Sequence, residues 1–180
     1  MNNAVSSDMA WSSVLFLDRV WPLCKGRLGG GELMQMEGRP DTELARMLDM
    51  RAGIDGWHLR DEGMRGIASR IQKGNDWRTF TIRMKRDSGA TTEYEKRNTA
   101  INGGWIYPRI TIQAYAQTEK GPILSIGIAY TSDIIGFINK GLHRIRNINN
   151  ATFAVCEWIK MKTNGYRVDI IDSSQWMANG

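Results

Sequence analysis

Glu43 and Asp55 stand twelve residues apart in a stretch that changes local character between them, and two such carboxylates are what a divalent cation needs. Hydrolysis of a phosphodiester calls for a metal held by acidic oxygens and a neighbouring group that positions the attacking water. Glu43 falls in the first turn of a predicted helix that starts after Pro40, with Asp41 or Thr42 at its N-cap and Leu44, Met47 and Leu48 at helical spacing. Asp55 lies near the start of a predicted strand over 54–59. Asp61, Glu62 and Gly63 form a turn into a second run, 64–72, and the two runs read as a hairpin. Glu37, just ahead of the helix, competes with Glu43 as a further acid of the site. The same residues also have ordinary uses: Asp caps turns, and Glu in a first helical turn is favoured by the helix dipole.

The charge distribution points to an anionic partner. Lys and Arg number 24 against 19 Asp and Glu, a net charge of +5. Between residues 60 and 86 eight basic residues face three acids, so 8 − 3 gives +5, the excess of the entire chain. Over 76–86, Thr79, Thr81, Arg83 and Lys85 alternate with Phe80, Ile82 and Met84, a strand with one apolar and one cationic face. Such a patch suits a polyanion, or is an ordinary solvated sheet face.

Other chemistries are disfavoured. Cys24 and Cys156 are too few and too distant for a zinc site, and His58 with His143 gives no ligand pair at helical spacing. Lys25 to Gly31, KGRLGGG, lacks the Gly-Lys-Ser/Thr ending of a phosphate loop and reads as a flexible connection. The N-terminus has no basic leader, and Val14 to Leu17 is too short an apolar run for a signal or a membrane span, so a cytoplasmic protein is expected. Seven tryptophans serve as core or interface anchors, or stack bases at a basic surface.

The remaining elements supply a scaffold. Met9 to Val20 predicts an amphipathic helix ended by Pro22, and 32–37 a short strand. A helix starts at Thr91 or Thr92 and runs to Ile101. Strands over 105–117 and 122–131 flank a turn at 118–121 and are expected at the sheet centre. A short helix over 133–140 is capped by Thr131 or Ser132. His143 to Asn150 reads as a loop or edge segment, 152–159 as a strand or a strand plus turn, and 166–171 as a last strand. One domain spans 1–180, with loose ends at 1–8 and 173–180.

The series Glu43, Leu48-Asp49 and Gly53-Ile54-Asp55 followed by a hairpin resembles the PD-(D/E)XK nuclease superfamily, especially its small phage-encoded members. The resemblance covers residues 10–115. It implies an α+β fold with a restriction-endonuclease-like core, a mixed central β-sheet flanked by helices. It implies Mg²⁺ held by Asp55 with Glu43, or Glu37 in its place, and DNA as the partner. In that family the next strand carries an acid, one residue, then a lysine; here it reads GIASRIQK, without an acid. With Gln72 in the lysine's place, Arg70 takes the acid's; with Arg70 in the lysine's place, Ala68 does. Glu62, Glu93 or Glu95 are the substitutes within reach. Gln72 or Lys73 would orient the water, and Arg70, Arg83 and Lys85 would hold phosphates. A Ser-Gly, Glu-Tyr, Lys-Arg run similar to that of the phage proteins adds Ser88, Lys96 and Arg97 to the nucleic-acid contacts. The expected activity is a metal-dependent DNA endonuclease or a catalytically weakened, nucleic-acid-binding relative. The alternative is a non-enzymatic phage or mobile-element protein that binds DNA or a host protein as an inhibitor.

Overall fold

The computed structural model of the protein describes residues 11–36 and 52–173. Glu37, Glu43 and the predicted helix after Pro40 lie outside these residues, as do the expected loose ends apart from Ser173. The strands are β1 (Glu32–Gln35), β2 (Gly56–Arg60), β3 (Gly63–Lys73), β4 (Thr79–Arg86), β5 (Ile110–Ala116), β6 (Ile123–Tyr130), β7 (Arg144–Ile148), β8 (Ala151–Glu157) and β9 (Val168–Asp172). A π-helical turn, Phe16–Val20, runs into α1 (Trp21–Lys25); α2 is Glu93–Gly103, α3 Thr131–Asn139 and α4 Trp158–Thr163.

The chain is α+β, with a mixed sheet as expected, but it contains two sheets where the sequence suggested one. Six strands run in the order β1-β2-β3-β5-β6-β9, with β3 and β5 parallel and every other pair antiparallel. β4, β8 and β7 form a separate antiparallel sheet in that order. The β2–β3 hairpin forms around Asp61 and Glu62, pairing Arg60 with Gly63. β5 is buried along its whole length and β6 along most of it, which fits their near-continuous apolar sequences.

Period-2 alternation divides the large sheet into two dissimilar faces. Ile67, Ile112, Ala114 and Ile126 pack with Phe16, Val20, Trp21 and Cys24 from the N-terminal helical segment. Tyr115 and Ala129 pack on the other side with α3, Trp158, and Phe80 and Ile82 of the small sheet. Trp158 is fully buried 5.7 Å from both the Phe80 and the Tyr115 rings, and Gly127 leaves room for it: a Cβ there would overlap the indole. Polar groups fix the second sheet on the first. The buried Gln113 side chain accepts from Thr81 N–H at 3.0 Å and donates to Tyr115 Oη, while Tyr115 donates to the Thr79 carbonyl at 2.9 Å.

Several local expectations change. Pro22 does not end the first helix; it follows the π-helical turn Phe16–Val20 inside a continuous helical run, and the chain stays helical to Lys25, the wider π-turn sitting where the proline interrupts the α-helical hydrogen bonds. Neither Thr131 nor Ser132 caps α3. Tyr130 is its N-cap, and Thr131 Oγ1 is instead 2.8 Å from Thr111 Oγ1 in the core. Of the two readings of His143 to Asn150, the edge segment holds: Arg144–Ile148 is the edge strand β7, exposed at every position. The KGRLGGG segment is not a loose connection. His58 and Arg65 hold its Gly30 and Leu28 carbonyls, and a Cβ at Gly31 would overlap the Leu59 carbonyl.

Candidate nucleic-acid interface

Asp55 precedes β2, and its main chain extends the ladder by one bond on each side: its carbonyl accepts from Met36 N–H, and its N–H donates to the Ile67 carbonyl. Strand β2 begins at Gly56, paired with Ile67, so β3 runs on past it and the Ser69 amide is the next donor in need of a partner. The Asp55 carboxylate supplies one: Ser69 N–H donates to Oδ2 at 2.6 Å. Around it lie Phe16, Leu33, Gln35 and Ile67 in a narrow crevice of about 10 Å³. Ser69 is therefore the β3 residue set against Asp55, a register different from both of those that place Arg70 or Ala68 at the acid position.

Strand alternation then separates the other candidates. Ile67, with Ser69, Ile71 and Lys73 at the same parity, belongs to the face that packs on the N-terminal helical segment, and Arg70 and Gln72 to the face that meets the small sheet. Gln72 accepts from Gln113 Nε2 at 3.1 Å. Lys73 shares Asp55's face but lies four residues beyond Ser69, roughly 13 Å along the strand. It pairs with Glu119 at 2.6 Å and lies over the Trp11 ring. Among the described residues no three His, Cys, Asp or Glu side chains converge as a metal site, and Glu43 and Glu37 are outside that set.

Glu93, named only as a substitute acid, occupies a different centre. It opens α2, behind a capping box in which Glu95 N–H donates to Thr92 Oγ1 and Thr92 N–H to Glu95 Oε2. Its carboxylate accepts from Arg70 Nη2 at 3.1 Å, from Arg83 N–H at 3.2 Å and pairs with Arg97 Nη2 at 2.9 Å. Burial alone would raise the Glu93 carboxyl; Arg70, Arg97 and the Arg83 amide together outweigh it and hold it at about 2. Arg97, expected to meet phosphate, is 4% exposed and committed to this pair. Ser88 is exposed, with its hydroxyl accepting from Ala90 N–H at 3.5 Å, and Lys85 is exposed past the bulge in β4. Lys96, half-buried on α2, is likewise outside the groove described next.

That groove, of about 790 Å³, lies between the C-terminal half of β3 and the outward face of the small sheet. The cross-strand row Arg83–Phe153–Arg146 and the row Thr81–Val155–Arg144 place alternate residues of three strands on one surface. Arg70, Lys73, Arg83, Arg144 and Arg146 line it, with no carboxylate among the lining residues. Arg70, Lys73 and Arg144 have partners outside the groove in Glu93, Glu119 and Glu157. Arg83 and Arg146 have no carboxylate partner among the described residues. They lie over aromatic rings instead, Arg83 5.2 Å from the Phe153 centroid and Arg146 5.4 Å from that of Trp77. Burial lowers the Arg83 pKa, and the neighbouring Arg86 and Arg70 guanidiniums lower it further. Trp77 is 54% exposed. The surface can pair cations with phosphates and offer ring faces to unpaired bases.

Of the predicted contacts, Arg70, Gln72, Lys73 and Arg83 meet in this groove, whereas Lys85, Ser88, Lys96 and Arg97 do not line it. Sequence reasoning missed Trp77, Arg144, Arg146 and Phe153. The signal for two of them was the Arg-Ile-Arg alternation of 144–146 in the segment read as a loop or edge segment. Comparison with protein-family models, curated proteins and solved structures found no match.

Proposed function

We infer that this protein binds single-stranded nucleic acid, DNA foremost, along the groove between β3 and the β4-β8-β7 sheet. The observation that carries this reading is the grouping there of four arginine side chains, Arg70, Arg83, Arg144 and Arg146, and two aromatic rings without a lining carboxylate. Arg83 and Arg146, which have no carboxylate partner among the described residues, would each neutralise a phosphate and release a counterion, while Trp77 and Phe153 stack bases irrespective of sequence. A duplex keeps its bases stacked on one another, so ring faces favour an unpaired strand. On this reading the protein is the binding member of a nuclease-like pair of possibilities. Cleavage would further require Asp55 with Glu43 or Glu37 to hold Mg²⁺.

Fluorescence anisotropy with a labelled single-stranded oligonucleotide tests binding. Trp77→Ala and Arg146→Ala, both changes at the rim of the groove, should each weaken it while the thermal melt stays that of the wild type. Equal affinity in all three proteins would overturn the groove assignment. A Mg²⁺-dependent nicking assay decides turnover: cleavage that disappears in Asp55→Asn makes the protein a hydrolase, and binding without cleavage in either makes it a binding module.

A further inference from the structure

A second cationic cavity, of about 720 Å³, lies near the other end of β3. Arg65 at its wall is seven residues from Gln72, which puts the two sites roughly 20 Å apart along the strand. It is an open cleft bordered by the Arg27–Gly29 loop, the β2–β3 hairpin, the end of β6 and the start of β9. Five cations line it, Arg27, Arg60, Arg65, Lys162 and Arg167, against the single carboxylate of Asp169. Its lining has an apolar part, the buried Ile110, Ile128 and Val168.

Three of the cations are neutralised locally. Arg27 pairs with Asp169 at 3.4 Å, Arg60 with Glu62 at 2.8 Å and Arg167 with Asp133 at 3.3 Å. Arg65 is held differently, by neutral acceptors alone. Its Nε donates to His58 Nδ1 at 3.0 Å and its Nη2 to the Leu28 carbonyl at 2.7 Å. Because Arg65 Nε can only donate, His58 Nδ1 must accept, and the ring proton sits on Nε2, which donates to Gly30 O at 2.6 Å. His58 is completely buried, and burial lowers its pKa, with Arg65, Arg60 and Lys25 adding to the effect against the opposing Gly30 carbonyl. The neutral imidazole thus orients a guanidinium whose Nη1 has no protein partner among the described residues. Burial and the nearby Arg60 also lower the Arg65 pKa, the mark of a cation with too little compensating charge.

The loop that sequence reasoning set aside supplies the wall of this cavity but not the cradle of a phosphate loop. Its Leu28, Gly29 and Gly30 amides donate within their own turn. Recognition therefore falls on guanidinium and ammonium groups, the usual partners of phosphate oxygens. We propose that this cavity binds a phosphate monoester with an organic body of about nucleotide size, its phosphoryl group on Arg65 and Lys162 and its body on the apolar part of the lining. The volume lies within the usual range for small-molecule sites, about 300–1,000 Å³. A free nucleotide and the 5′-phosphate end of a strand present the same chemistry. This site does not depend on the groove, and it adds a second ligand to the binding reading.

Isothermal titration with inorganic phosphate and with a mononucleotide, and anisotropy with 5′-phosphorylated against 5′-hydroxyl oligonucleotides, test it on the full-length protein. The mononucleotide should bind more tightly than inorganic phosphate. If a strand end is the natural ligand, the 5′-phosphate should add affinity over the 5′-hydroxyl. Arg65→Gln should reduce whichever effect is seen by at least about tenfold, the loss of a charge-assisted hydrogen bond. Lys162→Ala, on an exposed side chain, should reduce it by roughly two- to fivefold with the melting temperature unchanged. Wild-type protein that binds neither phosphate nor mononucleotide at millimolar concentration and ignores the 5′-phosphate overturns the proposal. So does binding that both variants retain at the wild-type level. Trp77→Ala, which acts on the groove, should leave the 5′-phosphate increment intact.

Discussion

Asp55 and Glu93 each accept a hydrogen bond from a strand amide, Ser69 N–H in one case and Arg83 N–H in the other, yet their surroundings differ. Asp55 sits in a crevice with Phe16, Leu33 and Ile67, where its carboxylate completes the ladder at the point β2 leaves off. Glu93 sits among Arg70, Arg83 and Arg97 and neutralises guanidiniums that would otherwise repel one another at the junction of the two sheets. The acid that sequence spacing singles out for chemistry has a definable structural use, and the acid that looks like an ordinary surface ion pair anchors the wall of the cationic groove. Residue type and spacing identify an acid as available. What surrounds it decides its work.

Substitutions separate the two roles, and the largest effect should come from Glu93. Glu93→Ala leaves Arg97 buried without its partner, and breaking such a pair typically costs about 3–5 kcal/mol. Urea unfolding measures this, and a loss below about 1 kcal/mol would remove Glu93 from its central place. The same carboxylate sets an acid limb. Its folded pKa of about 2 lies below the ordinary 4.5, so the stability it contributes is complete above the ordinary value and drains away as pH falls toward the folded one. At about 1.4 kcal/mol per pH unit, the full loss is about 3 kcal/mol. Melting curves between those limits should show this limb in the wild type and a shallower one in Glu93→Gln.

Asp55 should matter less to folding. Asp55→Ala strands the Ser69 amide and should cost about 1–3 kcal/mol, whereas Asp55→Asn keeps an accepting oxygen and should recover most of it. Equal loss in the two variants would mean that the charge, and not the hydrogen bond, is what the site uses. The smallest effect on folding belongs to the groove. Trp77→Ala should leave stability within about 0.5 kcal/mol of the wild type, as for most exposed positions. It should nevertheless weaken single-strand binding by about 1–3 kcal/mol, the range for one stacked base.

Much of the scaffold was legible because its signals are local. The Asp61-Glu62-Gly63 turn fixed the β2–β3 hairpin, Phe80 and Ile82 fixed the inward face of β4, and the apolar run of β6 marked it as interior. The partition into two sheets was not legible, since β4 pairs with β8 some seventy residues later and nothing in either strand specifies that partner. Arg97 was misjudged because Glu93 and Arg97 have the spacing of a surface ion pair on a helix that is polar almost throughout. Only the packing of α2 against β4 buries it. The groove was half legible. Arg83 came from the periodicity of its own strand and the β3 cations from the charge excess over 60–86, but Arg144, Arg146 and Phe153 join them through a sheet face that exists only in three dimensions.

The most direct test of the account is the salt dependence of single-strand binding. In a plot of log K against log salt, each phosphate contact contributes a slope of about −0.7. If the groove holds the strand, replacing Arg146, which has no carboxylate partner among the described residues, by Ala should make the slope shallower by about 0.7 while the melting temperature is preserved. A slope identical to that of the wild type, or binding indifferent to salt, would contradict the account and point to a protein partner for the exposed Ile145 and Ile148 of β7.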